Sequence, residues 1–193
     1  MDVLYEESAL DVNANKEKIK YNVVNVFFWI SAIIGGFALF QCILFIPSYT
    51  ALVFAIPAFI FGVSAVVLYL AKSKLNISYD YVFVSGELRI SKVINVNKRK
   101  ALAIIDSQDI LQIGDTENMG FDRLFADPNT RKMVCTPNTQ PSQDKFFMYI
   151  LVGGREKTIY VLECREALLM PILKFARRGV LETDYVMQER KQK

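Results

Sequence analysis

The sequence predicts an α+β membrane protein: an N-terminal transmembrane helical hairpin, then an antiparallel β domain capped by a C-terminal helix. Three observations carry this. Val23–Ile46 and Thr50–Ala71 are apolar runs without a single charged residue. Two pairs of alternating segments follow within residues 76–163, each pair joined by a glycine-containing turn. Residues 165–178 then place apolar side chains at helical spacing.

The two apolar runs make helices of about 36 and 33 Å at 1.5 Å per residue, and either crosses a hydrocarbon core of about 30 Å. Only Pro47, Ser48 and Tyr49 separate them, which predicts a tight, uncharged hairpin. The lack of intramembrane charge removes the usual mark of an ion or proton path, so a pump or transporter is not expected. Small residues recur at helical spacing. Ser31, Ala32, Gly35 and Gly36 share one face of the first span; Ala51, Ala55, Ala58, Gly62 and Ala65 follow one another along the second. In lipid, close packing rather than hydrophobicity holds helices together, so these faces meet either each other or another subunit. Pro57 removes one backbone hydrogen bond in mid-span and predicts a kink near Val53.

Orientation follows from lysine and arginine near the spans. Lys16, Lys18 and Lys20 precede the first span, Lys72 and Lys74 follow the second, and the turn has none. Both termini are therefore expected in the cytoplasm, on a cell-membrane protein with two spans. Tyr21, Phe28 and Trp29 near one interface, Tyr49 at the turn and Tyr69 near the exit fit aromatic belts. The first run is too long for a cleaved signal, and a polar, net acidic stretch precedes it. The expected organisation is a cytoplasmic tail over 1–22, the hairpin over 23–71 (spans 23–46 and 50–71), a cytoplasmic β domain over 72–185 and a charged tail over 186–193. Residues 1–15 lack periodicity and read as a mobile tail, and a helix leading into the first span starts between Asn15 and Asn22.

The β domain opens with Ile77, Tyr79, Tyr81 and Phe83 facing one way and Asn76, Ser78 and Asp80 the other. Ser85-Gly86 is a hairpin turn signal. Glu87–Ser91 alternates again, Lys98-Arg99-Lys100 reads as a charged corner, and Ala101–Ile105 as a third strand. Asp106 or Ser107 is suited to cap a helical turn over 108–112. Residues 114–144 are rich in Gly, Pro, Asp and Asn; a short strand near Lys132–Thr136 is expected there, with Phe121, Leu124 and Phe125 packed on the sheet. Lys145–Val152, the Gly153-Gly154 turn and Lys157–Glu163 form a second hairpin. In the segment Arg165–Arg178, Leu168, Ile172, Phe175 and Ala176 share a face, and Gly179 suits the residue after the helix. Pro171 cannot donate to the Ala167 carbonyl, which predicts a bend or a short 3-10 start.

Much chemistry is excluded. The chain has no histidine, which removes Ser-His-Asp and Cys-His nucleophile arrangements and histidine-ligated zinc. Of three cysteines, Cys42 lies in the first span, and Cys135 and Cys164 form no C-x-x-C pair; all three read as reduced, small hydrophobes. No Gly-rich phosphate loop is present. Asp106, Asp109, Asp115 and Glu117 read as a solvated capping segment rather than a metal site. The net charge of +3 is far from a nucleic-acid binder's basic stripe.

Two strand hairpins, a loose middle and one amphipathic C-terminal helix resemble a pleckstrin-homology-like (PH-like) domain. More closely, Tyr79-Asp80-Tyr81, Ser85-Gly86-Glu87-Leu88-Arg89-Ile90 and Lys98-Arg99-Lys100-Ala101-Leu102 are similar to an uncharacterised family of small two-span bacterial membrane proteins with such a cytoplasmic domain. The ending Ala176-Arg177-Arg178-Gly179-Val180 resembles it too. The similarity covers about residues 20–185; Pro171 departs from it. The resemblance implies no catalytic residues and no agreed activity.

The expectation is therefore a non-catalytic, cofactor-free binding module, anchored in the membrane and presenting its domain to a protein partner or to anionic lipid headgroups. The alternative is an accessory or regulatory subunit of a larger membrane complex, contacted through the hairpin. Expected partners are the bilayer and a membrane or cytoplasmic protein, or a second copy by self-association, and not nucleic acid. Lys72, Lys74, Lys98, Arg99 and Lys100 are the candidates for headgroup contact, each contributing about 1 kcal/mol beside anionic lipid. The competing reading makes 98–100 an aggregation-resistant strand end.

Overall fold

The structure, a computed structural model, describes residues 4–46, 48–154 and 156–181. The chain divides into two compact units. One is a helical hairpin from Asn13 to Asn76; the other joins the segment before the hairpin to everything after it.

In the hairpin, α1 (Ala14–Leu44) and α2 (Thr50–Lys72) are both long and apolar enough to cross a membrane. Helix α1 begins nine residues before Val23, so about 14 Å of charged helix precedes the apolar run. At the turn, Phe45 donates to Gln41 O at 3.2 Å, and Ser48 Oγ accepts from Thr50 Oγ1 at 3.0 Å. Helix α2 continues through Pro57. The helices meet where side chains are smallest. Ser31, Gly35 and Ala38 of α1 and Ala51 of α2 are buried, and a Cβ added at Gly35 would stand 3.2 Å from Gly62 N.

The second unit contains two four-stranded sheets. The first has β1 (Leu4–Ala9), β2 (Ile77–Val84), β3 (Glu87–Ile94) and β4 (Lys98–Asp106) in that order, antiparallel throughout. Residues 4–9, expected in a mobile tail, are instead an edge strand, paired from Leu4 opposite Val84 to Ala9 opposite Tyr79. Their alternation is masked because the central inward residue is Glu7, which is 8% exposed. The β2–β3 turn falls at Ser85 and Gly86, both with positive φ (51° and 90°), as expected of a two-residue hairpin turn. The next turn falls at Asn95 and Val96, again with positive φ. Lys98, Arg99 and Lys100 are therefore not a corner but the first residues of β4.

The second sheet has the order β5-β7-β8-β6, formed by β5 (Ile110–Asp115), β6 (Arg131–Val134), β7 (Phe146–Val152) and β8 (Thr158–Cys164). It is mixed rather than purely antiparallel: β6 runs parallel to β8, because the long 135–145 connection and β7 intervene between them. Strand β5 replaces most of the expected helical turn. Only a 3-10 turn over Ser107–Asp109 forms, capped by Asp106, whose Oδ1 accepts from Gln108 N at 2.8 Å. The region 114–144 holds one further unexpected element, α3 (Met119–Ala126), capped by Asn118. It lays Phe121, Leu124 and Phe125 on Tyr149, Leu151, Ile159 and Val161, so these aromatics do cover the sheet.

Helix α4 (Glu166–Phe175) buries Leu168, Leu169 and Ile172 against a core built from Tyr81, Phe83, Leu88, Ile90, Met148 and Leu162. Its first turn closes with a 3-10-type bond, Leu168 N–H to Arg165 O at 3.1 Å, and the helix runs on through Pro171. The helix stops at Phe175 rather than Arg178 because Ala176 turns extended (ψ 161°). Phe175 is only half-buried, against the Phe83 ring. A second turn at Gly179 (φ 84°) brings the chain back beside β5, where Ile113 N–H donates to Val180 O at 2.8 Å. The expected tail over 186–193 lies outside the described residues.

Candidate functional site

The residues singled out by the sequence fall into three groups. In the hairpin, Lys72 Nζ folds back on the aromatic belt, 3.9 Å from the Phe28 ring centroid, 5.2 Å from that of Tyr69 and 3.3 Å from Asn25 Oδ1. A desolvated ammonium on an aromatic face is held by about 2 kcal/mol. Lys72 thus ties the open end of the hairpin together, while Lys74 is exposed.

In the domain, Lys98, Arg99 and Lys100 are all exposed on β4. Arg99 reaches Asp80 Oδ2 at 3.5 Å, and Lys92 of β3 stands opposite Lys100. These four cations form one basic end of the first sheet. Glu87 opposite Asp106 makes the other end acidic.

The small residues divide by face. Ser31, Gly35 and Ala51 are consumed within the hairpin. Gly36 and the Cβ side of Gly62 face open space. Ala55, Ala58 and Gly62 line an apolar groove of about 580 Å³ with Leu39, Cys42 and Ile43, and Ala65 is half-buried.

Two polar centres escaped sequence reasoning. The first is Glu7 on β1. It accepts from Arg165 N at 3.1 and 3.2 Å, at the start of α4, and pairs with Lys145 Nζ at 3.3 Å. Lys145 also donates to Ser8 O at 2.6 Å, and Ser8 Oγ donates to Asp80 Oδ1 at 2.8 Å. The second is Glu163, fully buried on β8. Its carboxylate accepts from Thr136 Oγ1 at 2.6 Å, Asn138 Nδ2 at 2.7 Å, Ser142 N at 2.9 Å and the Ser142 hydroxyl. Burial pushes its pKa up, but these donors outweigh burial and hold the carboxyl below its ordinary value.

Asn138 ties the Glu163 centre to the segment that follows β1. It donates to Leu10 O at 2.8 Å and accepts from Val12 N at 2.9 Å, so its amide imitates a neighbouring strand for the segment that precedes α1. Together these contacts clasp residues 4–12 onto the second half of the domain. The signal available in the sequence was a Glu within an alternating Tyr5-Glu6-Glu7-Ser8-Ala9 run, and it carries no marker of burial by itself.

Among the described residues no three His, Cys, Asp or Glu side chains are grouped to hold a metal ion. The three cysteines are free thiols. Burial pushes Cys135 up to about 12, which leaves almost no thiolate at neutral pH. Burial also raises Tyr81, whose hydroxyl donates to Cys135 O at 2.5 Å and accepts from Glu163 N at 3.3 Å, a purely structural bridge between the sheets.

A family model for a bacterial PH-like domain (DUF6106) matches residues 12–182, a span that begins just after β1. No curated protein and no solved structure matches the chain.

Proposed function

The chain belongs to this bacterial PH-like domain family, and from that premise we propose that it is a membrane-anchored, non-catalytic binding module whose domain works at the cytoplasmic face. One observation carries the reading: β1 precedes the hairpin, β2 follows it, and the two pair residue by residue in one sheet. A chain threaded this way returns both ends of the hairpin to the same side. The lysines at 16, 18, 20, 72 and 74 favour the cytoplasm for that side. The missing histidine, the buried Cys135 thiol and the hydrogen-bonded, buried carboxylates of Glu7 and Glu163 favour binding over catalysis.

The bound class is a protein partner or anionic headgroups. The exposed Lys98 and Lys100 support headgroup contact, at about 1 kcal/mol per charge. The open groove beside Gly62 supports the second reading, an accessory subunit gripped through the hairpin.

One experiment tests the orientation and a second separates the two readings. With an impermeant thiol reagent added outside intact cells, Ser48→Cys reacts and Val96→Cys, an exposed turn residue of the domain, does not; the opposite labelling sinks the orientation. Photo-crosslinkers placed at Lys98 and at Phe59, in native membranes, then report which surface meets a partner. Protein adducts from position 59 alone favour the accessory-subunit reading. Adducts from position 98 favour the binding module.

A further inference from the structure

The turn between β3 and β4 carries a valine where glycine is the ordinary choice. Val96 has a φ of 64°, a left-handed conformation that a β-branched side chain seldom adopts, and it follows Asn95 at φ 50°. Its side chain is 75% exposed, more than any other large hydrophobic among the described residues of its unit. Lysines surround it. Lys92 stands opposite Lys100 and Ile94 opposite Lys98, so Lys92, Lys98 and Lys100 project from one face of the sheet beside the turn. Arg99 projects from the other face, where it reaches Asp80 Oδ2 at 3.5 Å. Residues 91–105 include no Asp or Glu, and among the described residues none of the three lysines has an ion-pair partner. Like charges placed directly opposite, as Lys92 and Lys100 are, destabilise a sheet, so the cluster is left for an anion from outside the chain to neutralise. The same end of the sheet carries both connections to the hairpin. Strand β1 ends with Ala9 opposite Tyr79, and β2 begins with Ile77 opposite Ile94, the residue before the turn. Residues 73–76 link α2 to β2, a reach of at most about 18 Å.

We propose that this turn is a bilayer-insertion tip: Val96 enters the acyl boundary of an anionic leaflet while Lys92, Lys98 and Lys100 meet its headgroup phosphates. This assignment rests on the membrane-anchored reading above and adds to it the surface that makes contact. Charge selects an anionic surface. The exposed valine selects a bilayer over a free phosphate, which would leave Val96 in water. Lysines that only kept a strand end from aggregating would need neither an apolar tip nor a shared face. Burial of Val96 among acyl chains offsets a backbone conformation that glycine would adopt without strain. The lysine stems lie along the same boundary while their ammonium groups stay at the phosphates. Because the hairpin already holds the chain in the bilayer, one apolar side chain and a few charges suffice to fix the domain against it.

The test uses the full-length chain in lipid nanodiscs. Cys42 is replaced by Ala, the buried Cys135 and Cys164 are retained, and Val96→Cys, Ser85→Cys or Phe59→Cys carries an environment-sensitive fluorophore. Ser85 occupies the turn at the other end of β3, and Phe59 lies within α2. In discs of phosphatidylcholine with phosphatidylglycerol, nitroxides placed high on the acyl chains quench the probe of Val96→Cys and spare that of Ser85→Cys. Discs of phosphatidylcholine alone abolish the quenching, and so does Lys92→Gln/Lys98→Gln/Lys100→Gln in anionic discs. The triple change leaves the thermal midpoint unlowered, because it removes a repulsion, so its loss of quenching is not one of misfolding. Phe59→Cys, quenched by nitroxides deep in the chains whatever the headgroup, reports the anchor. Quenching at position 59 with none at 96 overturns the tip alone. Quenching at neither overturns the anchored reading and the tip with it. Equal quenching at positions 85 and 96, or quenching at 96 that survives the loss of lipid charge and of the lysines, also overturns the proposal.

Discussion

Glu7 and Lys145 form an ion pair of 3.3 Å with side chains only 6% and 10% exposed, joining the strand before the helical hairpin to the loop before β7. The Glu7 carboxylate also receives the Arg165 N–H at the start of α4, where the helix dipole favours negative charge. Glu7→Gln or Lys145→Met should each cost the domain about 3 kcal/mol, by leaving the other charge buried. The double change Glu7→Leu/Lys145→Met should cost less than the sum. Denaturant titration of the purified protein in detergent, followed by limited proteolysis, reads both.

Strand β1 makes a stronger demand. A fragment starting at residue 75 lacks it, and the inward faces of Tyr79 and Tyr81 lose a neighbouring strand. That fragment should be unstable and readily proteolysed. A chain that joins residues 1–12 to residue 77 through a short Gly/Ser linker, with no hairpin, should fold to a cooperative, largely β-structured domain by circular dichroism. Equal stability of the two would show β1 to be dispensable.

Glu163 gives the domain an acid limit. Its carboxyl is held below the ordinary value of 4.5, so its hydrogen bonds stabilise the fold fully above that pH. That contribution fades as pH falls through the depressed folded value. Unfolding midpoints should therefore drop below about pH 4.5. Glu163→Gln should flatten this dependence while lowering stability at neutral pH by about 2–3 kcal/mol, since the amide turns a donor toward hydroxyl and backbone donors.

Adjacent glycines of the first span should behave oppositely. An added Cβ at Gly35 meets Gly62 N at 3.2 Å and the Phe61 backbone at 3.3 Å; at Gly36 it meets nothing within 4 Å. Gly35→Leu should loosen the hairpin by about 1–3 kcal/mol, and Gly36→Leu should leave the isolated hairpin intact. Thermal aggregation in detergent distinguishes them.

The hairpin, the Ser85-Gly86 turn and the pairing of β7 with β8 were legible because each is written in local pattern: uninterrupted apolar runs, strict alternation, a glycine with positive φ. The elements missed are those whose pattern is overwritten by polar residues with buried duties. Glu7 hides β1, Asp115 at 3% exposure ends a strand that reads as an acidic loop, and the Gly and Asn around α3 suggest a break where Asn118 is in fact a cap. Such partners sit far away in the chain, as with Glu7 and Arg165, and no window of sequence contains both.

Between Ala9 and Ile77 the ribosome adds the whole helical hairpin, which takes about 3–14 s at 5–20 residues per second. During that interval β1 has no partner and the domain cannot close. A nascent chain in which only one span inserted would leave β1 and β2 on opposite faces of the bilayer, with the edge of Tyr79–Phe83 bare. On the proposed membrane-anchored reading, sheet closure would inspect insertion: a hairpin that had crossed and returned would allow a finished domain, and any other would leave the β2 edge open to proteases and chaperones.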